Sequence, residues 1–419
     1  MSDDLAPQDW LTAQRVLRAV LRDPALADDH AEFRTLVAGV NRLGRKHARQ
    51  AAAGAAPADS DESRVRCYMC RQPFTPGVVA SALCPVCAAL NDRKRALTAD
   101  LRGRVALLTG GRVRIGYATS LRLLRCGARV IVTTRFPQDA ARRYAQEPDA
   151  EEWADRLTLY GLDLRDVRAA QHFADGLLGT LPHLDVLINN AAQTVAQPDA
   201  ALSALLTAER QALPGAGAAR AWVARPAPAH LLDRPVEVHP EFPPGLLDEY
   251  GDPLDLRAQN SWTARLDDVP LRELLEVQLV NVTAPGLLSS ALLPLLRRSP
   301  FPRRFIVNVS SVEGQFARAG RSDRHPHTNM AKAALNMLTR TSGPALARQG
   351  IFMTSVDPGW VSHQEPHVQR QRMAADGFRF PLTLDDAAAR LCDPVLTGVT
   401  DPARPPAGVF LKDYRVQPW

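Results

Sequence analysis

The apolar residues of the chain follow two different periods, and these periods define the predicted elements. From residue 101 onward, short apolar runs alternate with stretches in which apolar residues recur every three or four positions. Such runs predict buried parallel strands, and the stretches between them predict helices covering both faces of a sheet. Strands are predicted at 105–108, 128–134, 157–163, 184–190, 305–311 and 352–357, and a last edge strand at 408–415 precedes a docking segment ending at Trp419. The pattern predicts an α/β fold with a doubly wound parallel sheet.

The first hundred residues lack this alternation. Between Trp10 and Ala53, apolar residues recur at helical spacing, which predicts two or three amphipathic helices that act as a packing or dimerising cap. Small and polar residues without a period follow at 51–63 and predict a linker. We assign 1–62 to a helical segment and linker.

Four cysteines stand in two pairs ahead of the sheet. Cys67-Tyr-Met-Cys70 is separated by thirteen residues from Cys84-Pro-Val-Cys87. Each pair presents two thiolates from one tight turn, and the four together complete the tetrahedral shell of a structural zinc ion. A redox pair is the alternative. We predict a zinc-ribbon-like module at 63–95, whose folding depends on the metal.

Composition and charge narrow the classes of function. The 419 residues and 46% hydrophobic content allow two or three domains. No window approaches the roughly 20 apolar residues of a membrane span, and the N-terminus lacks a secretory signal, so we expect a cytoplasmic protein with no membrane partner. The net charge of +6 suits anionic small molecules as well as nucleic acid. Because the basic run 93–95 has few aromatic neighbours, nucleic acid is not the expected partner.

A glycine turn follows the first strand of the sheet. The stretch Thr109-Gly-Gly-Arg-Val-Arg-Ile-Gly116 ends that strand and opens a helical pattern. A strand, a tight glycine turn and a helix N-terminus leave backbone N–H groups unpaired, which favours an anion such as phosphate. The next strand ends at Thr134, where the adenosine ribose of a dinucleotide would lie. The sequence therefore predicts a phosphate-binding turn.

With these elements placed, residues 101–419 resemble a short-chain dehydrogenase/reductase, a family with a Rossmann-type sheet. The landmarks of the resemblance, in the order and spacing of that family, are Thr109-Gly110, Gly116, Asp163-Leu164, Asn189-Asn-Ala-Ala192, Asn281, Ser310-Ser311, Lys332 and Pro358-Gly359. The cysteine module ahead of such a domain resembles an atypical branch of the family. The resemblance implies an oxidoreductase with a nicotinamide cofactor and a small-molecule substrate, and we expect a homo-oligomer.

The resemblance also gives roles to individual residues. Gly110 and Gly116 take the outer positions of the family turn, and Arg114, before Ile115, replaces the middle glycine as in pteridine-reductase-like members. Further residues implied to bind the cofactor are Asp163 with Leu164 at the adenine, Asn189, Asn190 and Ala191 at the adenosine ribose, and Pro358 and Gly359 at the nicotinamide.

The residue after the second strand bears on the choice of cofactor. An NAD-selective member would carry an acid where this chain has Thr134. Without that acid there is no repulsion of a 2′-phosphate, and Arg112, Arg114 and Arg135 could offer it charge-assisted bonds. We therefore favour NADP(H) over NAD(H).

The catalytic positions depart from the family pattern. Asn281, Ser311 and Lys332 match, but Thr328 stands where the family has a tyrosine, four residues before the lysine. A threonine hydroxyl is far too weak an acid to replace a tyrosine of lowered pKa. Proton transfer would need another donor, and the open alternatives are His327, Tyr250 and a water held by Thr328 and Lys332.

A second departure is an insertion at about 193–270, between the fourth strand and the helix that carries Asn281. Insertions of this length act as lids, partner surfaces or disordered spacers, and the aromatic residues together with Asn260-Ser-Trp-Thr263 favour partial order near the substrate.

Three hypotheses of function follow. The favoured one is an NADP(H)-dependent oxidoreductase with atypical proton transfer, acting on a small carbonyl/alcohol-type or imine/pterin-type substrate. The second is a catalytically silent NADP(H)-binding sensor or scaffold, which the missing tyrosine supports. The third is a nucleic-acid or protein adaptor built around the zinc module.

Overall fold

The computed structural model describes residues 7–22, 30, 32–33, 36, 65–76, 82–211, 221–233, 239–243, 245–317, 320 and 322–419. The chain divides into two compact units, 1–64 and 65–419. In the first unit, helix α1 (Pro7–Arg22) agrees with the start of the predicted helical segment. Most of the remaining segment and the whole predicted linker at 51–63 lie outside the described residues.

The cysteine module begins the second unit. Strands β1 (Val65–Arg66) and β2 (Pro73–Phe74) pair antiparallel. Helix α2 (Pro85–Ala96) begins directly after Cys84 and contains Cys87 in its first turn. Cys67 and Cys87 are buried in one apolar cluster with Val361 and Leu382 from the C-terminal part of the chain. The module therefore shares a core with the large domain.

A mostly parallel sheet organises the rest of the unit. Its strands are β3 (Val105–Thr109), β4 (Arg129–Thr134), β5 (Leu157–Gly161), β6 (Val186–Asn189), β7 (Val223–Arg225), β8 (Arg304–Val309), β9 (Ile351–Asp357), β10 (Val409–Lys412) and β11 (Arg415–Gln417). The spatial order is β11-β10-β9-β8-β6-β3-β4-β5-β7, and neighbours pair parallel except β10 with β11. This arrangement confirms the predicted fold class.

Helices cover both faces of the sheet. They are α3 (Arg114–Arg125), α4 (Pro137–Tyr144), α5 (Ala150–Trp153), α6 (Val167–Thr180), α7 (Ser203–Arg210), α8 (Ala229–Leu232), α9 (Leu271–Gln278), α10 (Ala284–Ala291), α11 (Leu293–Arg298), α12 (Pro326–Ala347), α13 (His367–Ala375) and α14 (Leu384–Thr400). Successive side chains of a strand face opposite sides. Leu107 and Leu108 accordingly belong to the two separate apolar clusters that flank the sheet.

The strands at both edges of the sheet differ from those that the sequence predicts. The insertion contributes β7, which extends the sheet beyond β5. At the other edge, β10 lies inside the sheet between β9 and β11, and the predicted docking segment itself contains the edge strand β11. No helix within the described ranges is long and apolar enough to cross a membrane. The homo-oligomer and the cytoplasmic location stay predictions.

Candidate active site

A cavity of about 1150 Å³ lies at the carboxyl ends of the central strands. Its walls include residues that directly follow the ends of β3, β4, β6, β8 and β9: Gly110, Arg135, Asn190, Ser310 and Pro358. In an open parallel sheet, ligands bind at this edge, because the loops and helix N-termini there carry unpaired polar groups. The cavity brings most of the predicted site residues together.

The glycine turn between β3 and α3 leaves no room for a side chain at its glycine positions. A Cβ at Gly110 would lie 2.8 Å from Ala191 Cα, and a Cβ at Gly116 would lie 2.1 Å from the Gly110 carbonyl oxygen. Gly110 also has a φ of 74°, in the left-handed region that glycine tolerates. Arg114, at the middle position of the turn, holds a φ of 55° without that freedom. Strained backbone of this kind is concentrated at functional sites.

The arginines near the turn differ in their partners. Arg112 donates to Asp139 Oδ2 at 2.8 Å and to Asp252, and Arg114 donates to Asp248 Oδ2 at 2.6 Å. Arg135 makes no hydrogen bond or ion pair with any described residue, and its guanidinium lies 5.5 Å from the centre of the Phe136 ring. Burial, together with nearby Arg165, lowers the pKa of Arg135 to about 10. The carboxylates of Asp163 and Glu276 are close enough to oppose this shift, but neither forms an ion pair with the guanidinium.

Of the residues predicted to contact the adenosine, most line the cavity and one faces the protein interior. Asn190 and Ala191 line the cavity, and their backbone N–H groups both donate to Thr109 Oγ1 at 3.1 Å. Asn189 faces the interior, where its Nδ2 donates to Asn308 Oδ1 at 2.8 Å. Asp163 lines the cavity with Leu164 and accepts from Arg165 Nη2 at 2.7 Å.

Three predicted catalytic residues line the cavity. Ser311, Thr328 and Lys332 lie on its wall, the last two on one face of α12, as their spacing of four predicts. Burial lowers the pKa of Lys332 to about 8, with Asp357 acting in the opposite direction, and its Nζ donates to the Val309 carbonyl at 2.8 Å. Thr328 Oγ1 is buried and makes no hydrogen bond with the described residues.

Asn281 lies in a π-helical turn (Leu279–Thr283) between α9 and α10. Its side chain exchanges two hydrogen bonds with the backbone of Gln193, at 2.7 and 3.0 Å. Asn281 therefore fixes the chain directly after the Asn189-Asn-Ala-Ala192 landmark, where the insertion begins.

The two side chains considered as alternative proton donors, His327 and Tyr250, do not line the cavity. His327 is buried against Glu273, with Nε2 and Oε1 3.0 Å apart, and Tyr250 stacks on Arg114 at 4.6 Å. Neither is among the described residues that line the cavity, whereas His325 is, with its ring stacked 4.0 Å from that of Trp262. His325 has a left-handed φ of 42° and directly precedes α12, whereas His327 lies within the first turn of that helix.

The four cysteines converge as their spacing predicts. The sulfur atoms of Cys67, Cys70, Cys84 and Cys87 all lie within 4.8 Å of one another, and those of Cys70 and Cys84 are 3.8 Å apart. A tetrahedral ion with Zn–S bonds of about 2.3 Å requires sulfur separations of about 3.8 Å. The cluster thus fits one closed structural metal site.

Sequence reasoning missed two parts of the cavity wall. Tyr68, inside the first cysteine pair, lines the cavity, and its hydroxyl accepts a hydrogen bond from the Trp360 backbone N–H at 3.0 Å. Trp360 and His363, after Gly359, also line the cavity, and they pack in an aromatic cluster with Phe378 and Phe380. No local pattern reveals either, because both depend on contacts between distant segments.

Comparison with known proteins agrees with this geometry. The short chain dehydrogenase model matches residues 104–209, and the model described as Enoyl-(Acyl carrier protein) reductase matches residues 257–376. The chain belongs to the short-chain dehydrogenase family.

Individual relatives cover different parts of the chain. The uncharacterized protein R665 of Acanthamoeba polyphaga mimivirus is 31% identical over 352 residues, 78% of this chain and 71% of its own length. The rhamnolipids biosynthesis 3-oxoacyl-[acyl-carrier-protein] reductase of Pseudomonas aeruginosa is 26% identical over 68% of this chain and 84% of that one. Human dehydrogenase/reductase SDR family member 13 is 37% identical, but the chain spans only 24% of its length.

Among solved structures, the Pseudomonas aeruginosa RhlG/NADP active-site complex superposes with a TM-score of 0.50 and 21% identity. The match covers 75% of this chain and 95% of that one, and it supports the shared fold.

Proposed function

We propose that the protein is an NADP(H)-dependent oxidoreductase that moves a hydride to or from a small carbonyl/alcohol-type or imine/pterin-type substrate, without a tyrosine at the usual position. The observation that carries the proposal is the buried Lys332, which lines the same cavity as Ser311 and the glycine turn. A desolvated lysine in a cleft marks a functional site more often than a structural one.

The bound nicotinamide would supply or accept the hydride. Lys332 would hold the hydroxyls of the nicotinamide ribose, and Ser311 would donate a hydrogen bond to the substrate oxygen. Pro358 and Gly359 would border the nicotinamide, and the turn from Gly110 to Gly116 would bind the phosphates through its backbone N–H groups. The proton must come from another group or from water, because Thr328 cannot ionise near neutral pH.

Preference for NADP(H) rests on Arg135. Of the three arginines considered from the sequence, Arg112 and Arg114 are already paired with carboxylates, whereas Arg135 has none. A 2′-phosphate beside Arg135 would gain a charge-assisted hydrogen bond that a 2′-hydroxyl cannot match.

We propose a structural role for the cysteine cluster. Zinc with four thiolates leaves no open coordination position, so the ion would stabilise the module and take no part in the reaction. The shared core with Val361 and Leu382 supports this role, since it ties the module to the wall of the cavity.

The test follows NADPH absorbance with a panel of ketones, aldehydes, imines and pterins. Keto compounds are screened first, because the Pseudomonas aeruginosa relative is a 3-oxoacyl-[acyl-carrier-protein] reductase. We expect at least one compound to be reduced by the wild type and not by Ser311→Ala or Lys332→Ala. A wild-type rate equal to that of both variants on every compound would refute the proposal that the protein is an oxidoreductase.

The presence of Thr328 in place of the family's tyrosine favours a second candidate function, that of a catalytically silent NADP(H)-binding sensor or scaffold. Thr328 offers a buried hydroxyl without a hydrogen-bond partner among the described residues. NADPH binding by the wild type, with no turnover of any compound in the panel, would support this candidate over the enzyme.

A further inference from the structure

A tight turn of the insertion, residues 248–252, lies against the phosphate-binding turn. The backbone N–H of Asp248 donates to the Asp252 carbonyl at 2.8 Å, and that of Gly251 donates to the Asp248 carbonyl at 2.9 Å. Asp248 Oδ1 also accepts from the N–H groups of Tyr250 and Asp252, at 2.9 and 3.0 Å. These bonds fix the carboxylates of Asp248 and Asp252 on one compact loop, which we call the acidic turn; Glu249, between them, is exposed.

The carboxylates of Asp248 and Asp252 both bind arginines of the glycine turn. Asp248 Oδ2 accepts from Arg114 Nη2 at 2.6 Å, Asp252 Oδ1 accepts from Arg112 Nη2, and Asp252 Oδ2 lies 3.3 Å from Arg114 Nε. The side chains of Asp248 and Asp252 are only 3% and 14% exposed. Contacts between charged groups this well buried are weakly screened by water and salt.

The location of these contacts gives them a consequence for the cofactor. Arg112 and Arg114 stand between the glycines that would approach the dinucleotide phosphates, and Asp248 and Asp252 line the same cavity. A carboxylate and a phosphate oxygen accept the same guanidinium N–H groups. Like charges brought together in a partly buried site also repel each other strongly.

We propose that Asp248 and Asp252 set the affinity of the site for the dinucleotide by competing with its phosphates for Arg112 and Arg114. This inference rests on the proposed NADP(H) function and gives the insertion a role in it. Arg135, on the same cavity wall, has no carboxylate partner and is outside this competition. The acidic turn therefore acts on the glycine turn and leaves recognition of the 2′-phosphate to Arg135.

The test is a fluorescence titration with NADPH of the full-length wild type, Asp248→Asn and Asp252→Asn. Each single change leaves both arginines with at least one carboxylate, because Arg114 keeps either Asp252 or Asp248 and Arg112 always keeps Asp139. The variants should therefore fold, and a thermal melt of each checks this. Asp267→Asn is the matched control, because it removes the same charge from an exposed position of the insertion.

We expect each variant of the acidic turn to bind NADPH about 10-fold more tightly than the wild type, the effect of losing one competing charge-assisted bond. The Asp267→Asn control should stay within about twofold of the wild type. Unchanged or weaker binding in both Asp248→Asn and Asp252→Asn would overturn the proposal, since the acids would then orient the arginines for the phosphates. Absence of NADPH binding in all four proteins would instead refute the proposed function, and this inference with it.

Discussion

Arg135 offers the sharpest prediction about the cofactor, because its charge has no partner among the described residues. The residue directly follows β4 and lies on the cavity wall between Thr134 and Phe136. A pKa of about 10 leaves its guanidinium protonated at neutral pH. We predict that Arg135→Ala weakens binding of NADPH and leaves binding of NADH nearly unchanged.

The magnitude follows from the pKa and from the strength of charge-assisted bonds. Each pKa unit is worth about 1.4 kcal/mol, so burial disfavours the charged Arg135 by up to about 3 kcal/mol. A hydrogen bond to a charged partner contributes about 1.5–3 kcal/mol. Losing that bond should raise the Kd for NADPH by roughly 10- to 100-fold.

The same argument predicts the effect on stability. The surroundings of Arg135 lower its pKa and so disfavour its charge, even with Asp163 and Glu276 nearby. Its removal should therefore not lower the thermal midpoint of the ligand-free protein, and we expect a small rise. Arg112→Ala is the contrasting variant, because it leaves Asp139 and Asp252 without that partner. Breaking buried ion pairs typically costs about 3–5 kcal/mol, so this second variant should melt at a clearly lower temperature.

Calorimetric titration of wild type, Arg135→Ala and Arg129→Ala with NADPH and with NADH measures both affinities. Arg129 is exposed at the opposite end of β4, so Arg129→Ala controls for the loss of one positive charge. An unchanged ratio of the two affinities in Arg135→Ala, or an equal loss for both cofactors, would refute the assignment of the 2′-phosphate to Arg135.

Three further predictions address the metal, the glycine turn and the lysine. The purified protein should contain about one zinc ion per chain by elemental analysis, and Cys70→Ser should release it and destabilise the module; protein free of zinc and iron would contradict the site. Gly116→Ala should abolish NADPH binding in a titration, because its Cβ would lie 2.1 Å from the Gly110 carbonyl oxygen; wild-type affinity would show that the turn does not bind the phosphates. Lys332→Ala should weaken binding of NADPH and NADH alike, since its proposed contact is with the ribose they share; unchanged affinities would remove that role.

The central strands of the sheet could be predicted because each is encoded by a short apolar run within its own sequence. Runs such as the one ending at Leu108 are fully buried, and period and length alone identify them as central strands. Strand β7 could not be found this way. It spans Val223–Arg225, carries exposed residues, and is a strand only because it pairs with β5.

The candidate site likewise has a part that local sequence patterns predict and a part that depends on contacts between distant segments. The spacing of Thr328 and Lys332 on one helix predicted their common face, and the cysteine spacing predicted a cluster that the sulfur positions confirm. The partner of Arg114 is Asp248, 134 residues later, and no sequence period connects the two. The expectation that Arg112 and Arg114 are available to a 2′-phosphate therefore missed the acids already bound to them.

Tyr68 links the cysteine module physically to the cavity. Tyr68 is flanked by Cys67 and Cys70, and its hydroxyl accepts from the N–H of Trp360, directly after Gly359. With little secondary structure of its own, a module of this kind relies on its metal to hold such a turn. A metal bound at the four sulfurs would therefore fix the position of Tyr68, and through it the loop expected to border the nicotinamide. Loss of the metal should therefore disturb the structure first at the nicotinamide end of the cavity. The glycine turn should keep its geometry, because β3 and α3 hold it.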